Sequence, residues 1–105
     1  MKPIACELGV LAPSERQRYE ALRRDLQSAR RQTRELPDGY AVVFPAVPEV
    51  LLKLAEWITF ERRCCPFLTF GLELATESEN IELKLSGREG VKQFLREALT
   101  SARNP

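Results

Sequence analysis

The residues of this chain that are best suited to chemistry lie together in the stretch ITFERRCCPFLTF, residues 58–70. Glu61 precedes two adjacent cysteines, Cys64 and Cys65, by about one helical turn, and Pro66 follows them. Thiolates bind soft and borderline metal ions, and a thiolate is also a nucleophile. The chain contains no histidine, so any site must be built from thiols, carboxylates and the remaining polar groups.

A helix from about Pro48 to Cys64 is predicted to position these groups. Pro48 suits the first helical position, and Pro66 disfavours helical geometry at the residue before it. At about 100° per residue, Glu61 falls at the centre of the apolar stripe that includes Leu54. A carboxylate on an apolar face has to meet a cation, accept hydrogen bonds or take up a proton. Glu61 is therefore predicted to face inward, beside a counterpart.

Three interpretations of this group compete. In the first, Glu61, Cys64 and Cys65 hold a thiophilic metal ion such as zinc or Cu(I), with Cys6 as an additional ligand. In the second, the cysteines are core residues of a non-catalytic structural or interaction module, and Glu61 pairs with an arginine or a tyrosine hydroxyl. In the third, one thiol serves a small thiol-dependent enzyme. The helix dipole and the glutamate favour a bound cation and raise a thiol pKa, so metal binding outranks thiol chemistry and an enzyme is not favoured.

Two more residues are candidates for ligand binding, namely Arg88 and Tyr40. Arg88 lies in the stretch SGREG, a strand-to-helix junction whose free N–H groups could hold an anion, although a self-capped turn is the competing interpretation. If the sheet brings this junction near Cys65, Arg88 becomes a candidate partner for Glu61. Tyr40 follows the turn formed by Pro37, Asp38 and Gly39.

The elements that must carry these residues follow from the spacing of apolar residues, which predicts an α/β (α+β) fold in the order (β)αβαββα. The predicted elements are a short strand over 4–8, a helix from about 14 to 33, a strand over 40–44, the helix over 48–64, a hairpin over 68–85, and a last helix that opens near Ser86 with an apolar face reaching Ala102. Each hairpin strand has one apolar face. We therefore expect a two-layer sandwich in which the helices cover one face of a three- to four-stranded mixed sheet, with a right-handed β-α-β crossing.

The length, net charge and apolar runs of the chain limit the classes of partner that are expected. A length of 105 residues predicts a single domain, with residues 1–12 as an extended N-terminal segment. The formal charge of +1 and the lack of an apolar run of about 20 residues argue against nucleic-acid and membrane partners. Too few residues precede Cys6 for an export signal, so a cytoplasmic protein with free thiols is predicted. The polar face of the hairpin, or a sheet edge, leaves a homodimer open.

The stretch WITFERRCCPFLTFGLEL, followed by LKLSGREGVKQFL, resembles a family of small uncharacterised bacterial proteins. The shared features are an E-R-x-C-C-P-F core, a G-x-x-G opening to the last helix and a D-G-Y turn before a strand. The matching residues are Glu61, Arg62, Cys64, Cys65, Pro66, Phe67, Gly87, Gly90, Asp38, Gly39 and Tyr40. The resemblance covers most of the chain from Cys6 onward, and it implies no reaction because no activity is attached to the family.

Overall fold

The computed structural model describes residues 4–101 and shows an α+β protein with three helices and one sheet of four strands. The helices are α1 (Pro13–Ala29), α2 (Pro48–Cys64) and α3 (Val91–Ser101), and a short 3-10 helix spans Leu8–Val10. The strands are β1 (Gln32–Leu36), β2 (Gly39–Pro45), β3 (Thr69–Glu73) and β4 (Asn80–Ser86). The predicted α+β class is confirmed, and α2 has the predicted bounds. Ala102 lies outside the described residues.

All neighbouring strands of the sheet are antiparallel, in the order β1-β2-β4-β3. Both β2 and β3 pair with β4, so they run in the same direction without touching each other. The prediction of a mixed sheet is wrong because it assumed that α2 connects two adjacent parallel strands. Instead, β4 inserts between the two strands that flank α2.

One strand was not predicted, and one predicted strand is not found. Helix α1 ends at Ala29 rather than near Thr33, because Arg30 takes an extended conformation (φ −62°, ψ 132°). Residues Gln32–Leu36 then pair with β2 as an edge strand. Their sequence, QTREL, has no alternation of apolar residues to signal a strand. Among the described residues before α1, the only regular element is the 3-10 helix, so the predicted strand at 4–8 is not observed.

The inner face of the sheet carries the apolar residues of the core. Tyr40, Val42, Phe44, Ile81, Leu83 and Leu85 project from β2 and β4 and pack with residues from all three helices. Leu26 of α1, Leu54 of α2, and Val91 and Leu95 of α3 belong to the same buried cluster. The helices therefore cover one face of the sheet, which is consistent with the predicted two-layer sandwich.

The outer face of the sheet is polar and carries cross-strand ion pairs. Arg34 pairs with Glu82 at 2.7 Å, and Lys84 pairs with Glu73 at 3.4 Å. Ala41 lies between Arg34 and Lys84 in the strand register. It is fully buried because the long side chains on either side cover it. A homodimer through this face stays a prediction.

Gly39 lies where β2 comes very close to the backbone of β4. A Cβ atom at this position would be 2.8 Å from Ser86 Cα and would clash with the carbonyl group of Leu85. The turn into β2 therefore requires a residue without a side chain here, and the D-G-Y sequence supplies it.

Candidate functional site

The last turn of α2 places Glu61 and Cys65 side by side. The N–H of Cys65 donates a hydrogen bond of 2.7 Å to the carbonyl oxygen of Glu61, and Cys65 then leaves helical geometry (φ −125°, ψ 70°). Pro66 has no N–H and disfavours a helical residue before it, so the helix ends here. The two side chains consequently project from the same end of α2 into the space beneath the N-terminal segment.

The N-terminal segment is held against this end of α2 by hydrogen bonds and apolar packing. The N–H of Glu7 donates to the carbonyl oxygen of Cys64 at 2.9 Å, and Arg63 donates to the carbonyl oxygen of Val10 at 3.1 Å. Leu11 is buried in a small cluster with Tyr19 and the two adjacent cysteines. These contacts bring Cys6, at the beginning of the described chain, next to Cys65.

Cys6 and Cys65 form a disulfide, with their Cα atoms 4.6 Å apart. The expectation of free thiols is therefore wrong for these two residues. They are 59 residues apart in sequence. They come together because the N-terminal segment runs across the end of α2. Cys65 is fully buried, whereas Cys6 keeps some exposure to solvent.

Glu61 is the buried acid of this site, with 7% of its surface exposed, which confirms the predicted inward orientation. The hydroxyl of Tyr19 donates a hydrogen bond of 2.8 Å to Oε2. On the other side of the carboxyl group, Oε1 lies 2.8 Å from Cys65 Sγ and 4.0 Å from Cys6 Sγ. Burial raises the pKa of Glu61, while the Tyr19 hydrogen bond and the positive charge of Arg23 act in the opposite direction.

Only one of the two groups in the contact between Glu61 Oε1 and Cys65 Sγ can act as a hydrogen-bond donor. A sulfur in a disulfide carries no hydrogen, so only a protonated Glu61 has a hydrogen to donate across it. The raised pKa of Glu61 favours that protonated form. Burial also raises the pKa of Tyr19, and the nearby Glu61 charge adds to the rise, so Tyr19 stays a donor. The oxidised site is thus satisfied without an ion.

Cys64 is a free thiol in a different environment from its neighbour. It is fully buried and packs in the small cluster with Leu11 and Tyr19. Burial raises the pKa of the Cys64 thiol, and the negative charge of Glu61 adds to this rise. Both effects reduce the thiolate fraction, so Cys64 is poorly suited to act as a nucleophile.

The group that could hold a metal ion consists of Cys6, Glu61 and Cys65. Their ligand atoms all lie within 4.8 Å of one another. Three of the four predicted ligands are therefore brought together, whereas the Cys64 sulfur does not belong to this group. Adjacent residues on a helix point about 100° apart, and the departure of Cys65 from helical geometry directs it toward Cys6 instead.

The other two predicted site residues, Tyr40 of β2 and Arg88, lie near α3. The hydroxyl of Tyr40 accepts a hydrogen bond of 2.9 Å from Arg96 Nε, and Lys92 Nζ lies 5.9 Å from the centre of the Tyr40 ring. Arg88 lies in the turn before α3, where its carbonyl oxygen accepts a hydrogen bond from the N–H of Val91. Ligand binding by Arg88 or Tyr40 stays a prediction.

Sequence reasoning anticipated a tyrosine hydroxyl as a partner for Glu61 without identifying Tyr19. The chain has only two tyrosines, and Tyr19 is the one on the apolar stripe of a helix. A phenol on a stripe that becomes buried usually needs a hydrogen-bond partner. That signal, combined with the inward-facing Glu61, was the available clue.

Exposed ion pairs join α1 to α2 around this site. Arg18 makes two hydrogen bonds to the carboxylate of Glu56, at 2.9 and 2.7 Å. Arg63 pairs with Glu15 at 2.7 Å and holds the pKa of that carboxyl at about 2, with help from the N–H of Ala12. Such exposed pairs contribute little to stability.

Searches with models of protein families, against curated proteins and against solved structures found no match for this chain. The resemblance to small bacterial proteins with an E-R-x-C-C-P-F core therefore stays a prediction.

No helix within residues 4–101 combines the length and the apolar character needed to cross a membrane.

Proposed function

We propose that the protein binds a thiophilic metal ion such as zinc through Cys6, Cys65 and Glu61 when the Cys6–Cys65 disulfide is reduced. The observation that carries this proposal is the grouping of their three ligand atoms within 4.8 Å of one another. Two ligands of one zinc ion, at bond lengths of about 2.0–2.3 Å, are separated by at most about 4.6 Å. Small side-chain movements are therefore enough to place all three around one ion.

The charge at this end of α2 supports the binding of a cation. The carbonyl groups at the C-terminus of a helix carry a partial negative charge equivalent to about half an electron. Reduction adds two thiols that can ionise, and a bound cation favours their thiolate forms and the carboxylate of Glu61. The metal would place a positive charge in direct contact with this buried acid. Its fourth position would be filled by water or by a ligand from solution, since Cys6 keeps some exposure.

The disulfide gives the proposed site two states. In the oxidised form neither Cys6 nor Cys65 can form a thiolate, so it cannot bind the ion in the proposed way. Disulfides persist in oxidising compartments, while cytosolic thiols are kept reduced. The reduced, metal-binding form is thus the one that we propose for a cytoplasmic location, which itself stays a prediction.

The test compares zinc binding by the reduced and the oxidised protein in competition with a chromophoric chelator, with bound metal counted by elemental mass spectrometry. We expect one ion per chain in the reduced protein and none in the oxidised protein. Cys6→Ser and Glu61→Gln should lower the affinity of the reduced protein at least tenfold. The matched control is Cys64→Ser, which should retain the ion. A reduced protein without a stoichiometric ion would refute the proposal, and so would equal losses in Cys6→Ser and Cys64→Ser.

A second candidate is a non-catalytic structural or interaction module. It is favoured by the 2.8 Å hydrogen bond from Tyr19 to Glu61, which satisfies the buried acid without an ion. In this case the disulfide only fastens the N-terminal segment to α2. The same measurements separate the two, because a structural module would stay free of metal after reduction while losing stability.

A further inference from the structure

A cavity of about 110 Å³ lies over the inner face of the sheet, away from the disulfide. Helix α1 packs chiefly on α2, whereas α3 packs on β2 and β4, so the helices leave an opening between them. Val42 and Phe44 of β2 and Leu83 and Leu85 of β4 line the cavity from the sheet, and Trp57 lines it from α2. Its interior is therefore almost entirely apolar.

The helix side of the cavity is positively charged. Arg23, Gln27 and Arg30 all line it. Arg23 and Gln27 are four residues apart and so lie on one side of α1, and Arg30 follows directly after the end of the helix. Among the residues that the structure describes, no aspartate or glutamate lines the cavity. The C-terminal end of α1 contributes the equivalent of about half a negative charge, which the full charge of the Arg23 guanidinium group outweighs. Glu20 pairs only loosely with Arg23, at 3.5 Å.

We propose that this cavity binds a small monocarboxylate, with its apolar body among the inward residues of β2 and β4 and its carboxylate at Arg23, Gln27 and Arg30. Small-molecule sites commonly combine an apolar interior with a few polar groups that fix orientation. Arginine suits a carboxylate because its guanidinium group can donate two parallel hydrogen bonds. This inference does not depend on the metal site.

The volume limits the size of the ligand. An engineered apolar cavity of about 150 Å³ in another protein accommodates benzene, so about 110 Å³ suits an apolar body of roughly five carbons. Hexanoate, which joins a five-carbon chain to a carboxylate, is the probe that fits this description. 1-Hexanol has the same total number of carbon atoms, with an uncharged CH2OH group in place of the carboxylate, and it therefore tests the contribution of the charge.

The experiment is a titration of the intrinsic fluorescence of Trp57 with hexanoate and, separately, with 1-hexanol at constant ionic strength. Trp57 is the only tryptophan of the chain and lines the cavity, so the signal has one source. We expect saturable binding with a Kd for hexanoate at least tenfold lower than for 1-hexanol. Arg23→Gln should weaken hexanoate binding about three- to fivefold, as expected for a partly exposed ion pair. The double variant Arg23→Gln/Arg30→Gln should remove the preference for hexanoate.

Two controls keep this test decisive. Arg24→Gln changes a neighbouring charge on α1 that does not line the cavity, and it should leave the affinity for hexanoate unchanged. Unchanged binding of 1-hexanol by the double variant would show that its cavity is intact. The proposal is overturned by equal affinities for hexanoate and 1-hexanol, by no saturable signal up to 20 mM hexanoate, or by equal losses in Arg24→Gln and Arg23→Gln. It is also overturned if Trp57 emission changes with protein concentration alone, because a second copy would then occupy the cavity.

Discussion

Replacing Tyr19 by phenylalanine tests whether the buried acid depends on its hydrogen bond. The substitution removes a donor that lies 2.8 Å from Glu61 Oε2 and changes little else, because the ring of Tyr19 stays in its buried position. The carboxyl group then keeps its buried environment while losing the interaction that opposes the effect of burial on its pKa. Tyr19→Phe should therefore raise the pKa of Glu61 further and lower the free energy of unfolding.

The size of this loss should depend on pH. Burial holds the pKa of Glu61 above its ordinary value of 4.5, so the folded state binds more protons than the unfolded state above about pH 4.5. Ionisation of Glu61 consequently weakens the folded state as the pH rises from 4.5 toward the raised pKa. A hydrogen bond to a neutral acceptor contributes about 0.5–1.5 kcal/mol, and one to a charged acceptor about 1.5–3 kcal/mol. We expect a loss of about 1 kcal/mol at pH 4, growing toward about 2–3 kcal/mol as the pH rises through the pKa of Glu61.

The assay is urea unfolding of the oxidised protein between pH 4 and pH 8, followed by circular dichroism. Tyr40→Phe is the matched control, because it also removes a tyrosine hydroxyl, here one that accepts a hydrogen bond from Arg96 at 2.9 Å. Arginine stays charged throughout this range, so the loss in Tyr40→Phe should not vary with pH. Combining Tyr19→Phe with Glu61→Gln should also remove the pH dependence.

Two results would refute this reasoning. One is a loss in Tyr19→Phe that is the same at pH 4 and pH 8, or larger at pH 4. The other is a loss at pH 8 below about 1 kcal/mol, which would mean that Glu61 gains little from its buried donor.

Three further predictions concern the disulfide, the turn into β2 and the link between α1 and α2. Cys6→Ser should lower the unfolding free energy in oxidising buffer by about 4 kcal/mol, since the disulfide spans a sequence separation of 59. The control Cys64→Ser should keep the sensitivity to reductant that Cys6→Ser loses. A loss of less than about 1 kcal/mol in Cys6→Ser would contradict this prediction. Gly39→Ala should cost about 1–3 kcal/mol in urea unfolding because its Cβ meets the backbone of β4, and an unchanged midpoint would show that the strands can separate locally. Arg63→Gln should raise the pKa of Glu15 from about 2 toward 4.5 in an NMR titration. The ion pair stabilises the fold above pH 4.5 and loses this effect as the pH falls toward 2, so the variant should lack this pH dependence. An unchanged pKa would assign the lowered value to the N–H of Ala12 alone.

The part of the site that could be predicted depends on local sequence signals, namely helix-ending residues and the helical period. Pro48 and Pro66 mark the ends of α2 in the sequence, and the helical period then fixes which side Glu61 faces. Both properties depend on residues within a few turns of one another, so the bounds of α2 and the burial of Glu61 could be predicted without any tertiary information.

The remaining features depend on contacts between distant segments. The pairing of Cys6 with Cys65 requires the N-terminal segment to cross the end of α2, and nothing in the local sequence encodes that path. Strand β1 has a polar sequence and is a strand because β2 offers it backbone partners, so tertiary context overrode the helical pattern that reached Thr33. The position of β4 between β2 and β3 is also a long-range choice, since either order is compatible with the same alternation of apolar residues.

The position of β4 has a consequence during synthesis of the chain. Until residues 80–86 have emerged from the ribosome, both β2 and β3 present an unpaired edge with apolar side chains beside it. A nascent chain of this length is therefore open to pairing with other chains. The arrival of β4 closes both edges in one step, so premature termination just before Asn80 should yield aggregates rather than a smaller folded product.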